Sequence, residues 1–227
     1  MTRVVVKVGG AVATSVARQI HDLATSCCKV VVVHGAGPQI SSEMRRRGLD
    51  VEFVGGRRVT SPAGLEVVRE SFAAVNAALC ASIGPSAIPL FGDEIGLVAR
   101  QVPALGLVGD PIPGAPPAIE AALEAGLIPV VAPLGTCLLE GGPLNVNADE
   151  AASALAIGLG AEKILFLTDV PGLLLAGTVV RSIDAGDAQG LLDAGELEGG
   201  IVPKLQAAVR AAKLGVRAEI GETAVLA

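Results

Sequence analysis

The chain has 227 residues, 51% hydrophobic and 18% charged, with a formal net charge of −6. That is one to two domains with ample apolar material for a core, which excludes a disordered chain and requires no metal or disulfide staple. An acidic chain with no Trp, no Tyr and four Phe lacks the basic surface and the aromatic platforms that nucleic acids bind, so no nucleic-acid partner is expected.

Val4-Val5-Val6 is a β-branched run ending at Gly9-Gly10, and reads as a buried strand. Lys7 interrupts this apolar opening, which argues against a secretory leader in spite of Ala11-Val12-Ala13. Residues 12–26 read as a helix and 30–33 as a second buried strand, ended by His34-Gly35-Ala36-Gly37-Pro38. Pro38 suits the first turn of a helix running to about Arg47. Ser61-Pro62 opens another, along which Leu65, Val68, Phe72, Val75 and Leu79 recur at helical spacing. The uncharged run 71–92 is long enough to span a bilayer. Asn76, Gly84, Pro85 and Pro89 break it, so it reads as helix, turn and strand, and no membrane partner is expected. Further strands are predicted near 87–91, 127–132 and 164–168, and helices near 116–125, 148–160 and 203–214. Buried strands alternating with helices predict an α/β protein with a mainly parallel sheet covered on both faces. Two lobes are expected, residues 1–160 and 161–227. Cys27, Cys28, Cys80 and Cys137 form no C-x-x-C pair and only two His are present. The prediction is reduced thiols in a cytoplasmic protein, with no zinc or other protein-held metal site.

In such a fold chemistry collects at the carboxyl ends of the strands. Lys7 inside a Val-rich strand is costly unless its ammonium meets an anion. His34-Gly35-Ala36-Gly37 before a helix can cradle an anion with backbone N–H groups. It is neither a P-loop, since no G-x-x-x-x-G-K-[ST] string occurs, nor a dinucleotide fingerprint, since Ile40 replaces the third Gly. In Leu144-Asn145-Val146-Asn147-Ala148-Asp149-Glu150, Asn147 is a good N-cap with Glu150 as capping-box partner. Asn145 and Asp149 are left for function. Lys204, one of only five lysines, stands at a helix start where a cation opposes the dipole; a bound phosphate would explain it.

V-K-V-G-G-A, V-V-V-H-G-A-G-P-Q-I, V-G-G-R-R-V-T, L-N-V-N-A-D-E-A-A, L-T-D-V-P-G-L and G-G-I-V-P-K-L follow one another in that order. Together they resemble the amino acid kinase superfamily and, within it, the acetylglutamate kinases of arginine biosynthesis. The resemblance implies a three-layer αβα sandwich, with an amino-terminal lobe for the acyl amino acid and for dimerisation and a carboxyl-terminal lobe for ATP. It implies transfer of the γ-phosphate of ATP to N-acetyl-L-glutamate, with Mg²⁺. Carried over by position, Lys7 and Lys204 match the two catalytic lysines, and Asp149 the acid that orients them. Gly35, Ala36, Arg58 and Asn145 match the acyl amino acid site, with Arg58 on its α-carboxylate and the Gly35 N–H facing the ligands. Ala36 stands where many members have Gly, and only its N–H is needed if its backbone angles are negative. Gly9 and Gly10 match the phosphate-facing glycines. Asp169, Val170, Pro171, Gly172, Leu173 and Leu174, with Glu196, Leu197 and Glu198, match stretches lining the nucleotide pocket. Arg57 is expected to matter little, because alternation sends it to the face opposite Arg58. The first strand begins at Arg3 and the region after Arg217 is short for the family. A homodimer insensitive to arginine and a more open adenine side are the expectations. The alternatives are a kinase for a related acyl amino acid, acetylaminoadipate or carrier-linked aminoadipate, and a catalytically silent ligand-binding homologue. The acidic charge disfavours docking to a carrier protein.

Overall fold

A computed structural model describes residues 2–9, 13–26, 28–168 and 170–227. Its first half runs β1 (Thr2–Val8), α1 (Ala13–Thr25), β2 (Cys28–His34), α2 (Gly37–Arg46), a short ribbon of β3 (Phe53–Val54) and β4 (Arg57–Arg58), α3 (Pro62–Ile83) and β5 (Ala87–Phe91). Then come α4 (Gly92–Ile95), β6 (Val98–Gln101), β7 (Val108–Pro111), α5 (Pro117–Glu124), β8 (Ile128–Ala132), β9 (Leu134–Cys137), β10 (Pro143–Val146) and α6 (Ala148–Gly158). The chain finishes with β11 (Lys163–Leu167), a second ribbon of β12 (Leu174–Leu175) and β13 (Thr178–Val179), β14 (Ser182–Asp184), α7 (Ala185–Asp193), α8 (Ile201–Lys213), β15 (Arg217–Ile220) and β16 (Thr223–Leu226).

Eight strands form one sheet in the order β14-β16-β15-β11-β1-β2-β8-β5. Every neighbouring pair is parallel except β15 with β16. The expected mainly parallel sheet is therefore present, and the Val-rich β1 and β2 lie at its centre. Alternation sorts their side chains onto two faces. Val4, Val6, Val8, Val30 and Val32 pack with Ile20 of α1 and Leu79 and Ile83 of α3. Val5, Val31 and Val33 face the other way, onto Leu155 of α6 and Leu205 and Val209 of α8. Lys7 shares that second face, beside Val33 and Phe166 in the sheet register. Burying each of these Val and Leu side chains stabilises the fold by about 1.5–3 kcal/mol. The charged Lys7 within the same layer needs an anion close by.

The helix opened by Ser61-Pro62 and those expected near 116–125, 148–160 and 203–214 all form, the last starting two residues earlier, at Ile201. Ser61 accepts the N–H of Gly64 and Pro62 occupies the first turn of α3. Asn147 accepts the N–H groups of Asp149 and Glu150 at the start of α6. Between β5 and α6 the chain builds a small closed barrel, β10-β7-β6-β9, which the sequence did not announce. Its strands are four residues each, and Gly109 and Gly135 point inward. A Cβ on either would come within 2.7–2.9 Å of the Ala99 Cβ, so the barrel closes only around bare glycines. The barrel delivers β10, and with it Asn145 and the cap of α6, to the carboxyl end of β1. Among the described residues no helix is long and apolar enough to cross a membrane.

Candidate active site

Three elements bring three charges together. Lys7 comes from β1, Asp149 from the first turn of α6, and Lys204 from the first turn of α8. Lys7 Nζ lies 2.9 Å from Asp149 Oδ1, and Lys204 Nζ lies 3.6 Å from Asp149 Oδ2. Each carboxylate oxygen thus has its own ammonium. Lys204 also reaches the Gly200 carbonyl, at 3.4 Å. Burial lowers the pKa of Lys7 from its ordinary value; Asp149 opposes that shift and the charge of Lys204 adds to it. One carboxylate thus faces two buried or nearly buried cations, leaving an excess of positive charge for an incoming anion.

Beside this array is a cavity of about 280 Å³. Lys7, Gly35, Ala36, Arg58, Asn145 and Asp149 all line it, so the expected catalytic and acyl amino acid residues converge, with Lys204 just behind Asp149. Arg58 is buried. Its guanidinium donates to the Ser41 hydroxyl at 2.7 Å and the Gly37 carbonyl at 3.1 Å, and lies 4.5 Å from the Phe53 ring centroid. These partners are neutral. Burial, and secondarily the nearby Arg45, push the Arg58 pKa below the usual guanidinium value. A buried fork-shaped cation on a cavity wall, with neutral partners, suits a carboxylate. Asn145 Nδ2 donates to Thr60 Oγ1 at 3.0 Å, and Thr60 donates to the Arg58 carbonyl at 2.8 Å. Thr60 therefore joins Asn145 to the arginine strand, and only its place in R-R-V-T hinted at that.

Several expectations need correction. The Gly35 N–H does not face the cavity; it donates to the Val8 carbonyl at 3.0 Å and prolongs the β1–β2 pairing. Gly35 contributes a wall without a side chain. Glu150 does not close a capping box. Its Oε1 accepts from Arg57 Nε at 2.8 Å, because burial in the lobe interior offers it a cation instead of a backbone donor. Arg57 and Arg58 send their guanidiniums to different partners, Arg57 to Glu150 and Asp110 and Arg58 to Ser41 and Gly37, yet both residues line the cavity. Ala36 is the N-cap of α2 with φ −140°, a negative angle, so its methyl adds no strain.

On the other side of Lys204 the picture is looser. Gly10 and Asp169 lie outside the described residues. Gly9 follows β1 directly. Val170, Pro171 and Leu174 are exposed, as are Glu196 and Glu198, while Leu197 is half-buried. Leu173 is fully buried in the core, so its side chain is unavailable to a ligand. Gly172 and Gly221 let this loop dock against the last hairpin. The Leu173 N–H donates to Thr223 Oγ1 at 2.8 Å and the Glu222 N–H to the Pro171 carbonyl at 2.8 Å. A Cβ at Gly221 would lie 2.5 Å from the Pro171 oxygen, so the close approach requires glycine there.

The chain matches the amino acid kinase family over residues 2–221. It is 39% identical to the acetylglutamate kinase of Gloeobacter violaceus, covering 95% of this chain and 78% of that protein. It is also 39% identical to the acetylglutamate kinase of Rubrobacter xylanophilus, covering 97% and 88%. Among solved structures, smu.665 from Streptococcus mutans superposes with a TM-score of 0.90 at 30% identity, over 99% of this chain and 98% of that one. The chain belongs to the amino acid kinase family.

Proposed function

We propose that this amino acid kinase transfers the γ-phosphate of ATP to the side-chain carboxylate of N-acetyl-L-glutamate, giving N-acetylglutamyl 5-phosphate, a step of arginine biosynthesis. The observation that carries the reading is the Lys7–Asp149–Lys204 array, whose Lys7 and Asp149 line one cavity together with the buried Arg58. Its relatives named acetylglutamate kinase support the choice of acceptor.

The acceptor's α-carboxylate pairs with Arg58, and Asn145 lies beside it. Its side-chain carboxylate then points toward Lys7. A carboxylate oxygen forms the new bond to the γ-phosphorus, the bond from that phosphorus to the β–γ bridging oxygen breaks, and ADP leaves with the electron pair. The nucleophile is already an anion, so no general base is needed. Both reactants are negative, so the protein's task is positioning and charge stabilisation. Lys7 neutralises the transferring phosphoryl oxygens and Lys204 the nucleotide side. Asp149 keeps the two ammoniums from driving each other apart.

Asp149 is the one carboxylate in the described cavity lining, and both its oxygens are committed to lysines. No protein ligand is therefore assigned to Mg²⁺, which in this reading travels on the phosphates of ATP. Residues 1–160 as acyl amino acid lobe, 161–227 as ATP lobe, pairing of two copies through the amino-terminal lobe and a cytoplasmic location are supported by the family resemblance. The test is ATP-dependent formation of a hydroxamate in the presence of hydroxylamine, with acetylglutamate, glutamate and aminoadipate compared as acceptors. Acetylglutamate is expected to dominate; a preference for either other acceptor would reassign the substrate.

A further inference from the structure

The β3–β4 ribbon grips the first turn of α6 on both sides of Asp149. Ahead of it, Asn147 Nδ2 donates to the Gly56 carbonyl at 3.5 Å; behind it, Arg57 Nε donates to Glu150 Oε1 at 2.8 Å. The other Glu150 oxygen, Oε2, is buried with no hydrogen-bond partner among the described residues, so the hydrogen bond from Arg57 orients that carboxylate. Arg57 also reaches Asp110 Oδ1 on β7 at 3.3 Å. The same Asp110 oxygen lies 3.6 Å from Arg210 of α8, which donates to the Pro111 carbonyl at 2.9 Å. That helix carries Lys204. The ribbon's turn runs near the helix as well, since even a Cβ added at Gly56 would only come into contact distance, 3.7 Å, of the Cβ of Pro203. The Arg57 and Glu150 side chains are 24% and 17% exposed, so salt and water screen this pair less than a surface pair.

From these contacts we infer that Arg57 is a positioning residue that couples acceptor capture to assembly of the lysine array. Arg58, on the same two-residue strand, holds the acceptor's carboxylate in the kinase reading on which this inference rests. Through Glu150, Arg57 fixes the α6 turn that sets Asp149 between Lys7 and Lys204. Through Asp110 and Arg210 it ties that turn to the Lys204 helix. Ribbon and α6 turn thus move as one body, and an acceptor that orders the ribbon also orders the phosphate-binding ammoniums. Linkage makes the effect reciprocal: acceptor and nucleotide each tighten binding of the other.

The experiment measures affinity for the non-hydrolysable analogue AMP-PNP by calorimetry, with and without saturating acetylglutamate. Native protein is compared with Arg57→Gln, Arg57→Lys, Glu150→Gln and the Arg57→Gln/Glu150→Gln double variant. In the native protein the acceptor should tighten the analogue about fivefold or more, the lower end of common couplings. Arg57→Gln and Glu150→Gln should bring that factor close to one, without additivity in the double variant, and Arg57→Lys should keep part of it. A native protein without coupling, or coupling that survives in Arg57→Gln, would overturn the inference. Amide hydrogen exchange over residues 147–151 is read on the same samples without ligand. Faster exchange in Arg57→Gln is expected, and unchanged exchange overturns the inference even if the native protein binds neither ligand, an outcome that would count separately against the kinase reading.

Discussion

Asp149 Oδ1 sits 2.9 Å from Lys7 Nζ, with both side chains less than a tenth exposed. An ion pair so deeply buried costs desolvation on both sides and is a poor device for stability alone. Its value lies in what it presents: an ammonium held still at the end of the central strand, with Lys204 on the other oxygen of the same carboxylate. Replacing Lys7 or Lys204 by Ala should each lower kcat by on the order of 10²–10³, the usual cost of one transition-state donor. Steady-state rates at saturating substrates check this, and near-normal turnover in either variant would remove that lysine from the chemistry.

The lowered pKa of Lys7 gives a pH signature. Burial disfavours its charged form, so in the free protein the ammonium is lost at lower pH than an ordinary lysine. The protonated group is a cost to the fold that disappears as pH rises through the folded pKa, because the unfolded chain then binds more protons. Bound phosphates favour the ammonium and move the pKa back up. The alkaline limb of kcat/KM for ATP, which reports the free protein, should therefore lie below the alkaline limb of kcat, which reports the complex. Profiles in which the two limbs coincide, or run in the reverse order, would contradict this assignment.

Arg58 binds a carboxylate remote from the reacting one, and such contacts are made about equally in ground and transition states. Arg58→Lys should accordingly raise KM for acetylglutamate more than it lowers kcat. A lysine keeps the charge but loses the fork that meets Ser41, Gly37 and the ligand together. A variant whose kcat collapses while KM holds would place Arg58 at the reacting carboxylate instead.

His34 makes a prediction about stability. It is buried, its ring nitrogens make no well-formed hydrogen bond among the described residues, and its ring meets the edge of Phe72 at a centroid distance of 5.8 Å. Burial pushes its pKa down from 6.5 to about 4, with the Gly35 backbone opposing the shift. Between those values the unfolded chain binds the extra proton, so stability falls as pH drops through that window and is fully present above it. Lowering pH from 7 to 5 should cost about 2 kcal/mol through this residue. His34→Gln should flatten that part of the dependence in urea titrations; an unchanged slope would show that other groups carry it.

Much of this was legible in the sequence, and the gaps have physical causes. The β-branched runs, Ser61-Pro62 and the Asn147 cap are local signals, and their elements formed where local chemistry put them. The four-residue barrel strands carry no such signal, because they depend on Gly109 and Gly135 meeting Ala99 across the chain. In the site, Lys7, Asp149 and Arg58 stand out as charges in apolar or glycine-rich settings. Arg57 did not, since its importance lies in Glu150, 93 residues away in sequence. The Gly35 N–H is taken by strand pairing with Val8, a tertiary fact that local sequence does not carry.

The central claim is that one carboxylate gathers two lysines for phosphoryl transfer to an acyl amino acid. Phosphorus NMR of the native protein with ATP and acetylglutamate, run beside Lys7→Ala and Lys204→Ala, tests it most directly. Loss of the γ-phosphate signal matched by an acyl-phosphate signal is expected in the native protein, slowed at least about a hundredfold in each variant. Loss of the γ signal with only inorganic phosphate appearing, or an acyl phosphate formed equally fast by the variants, would contradict it.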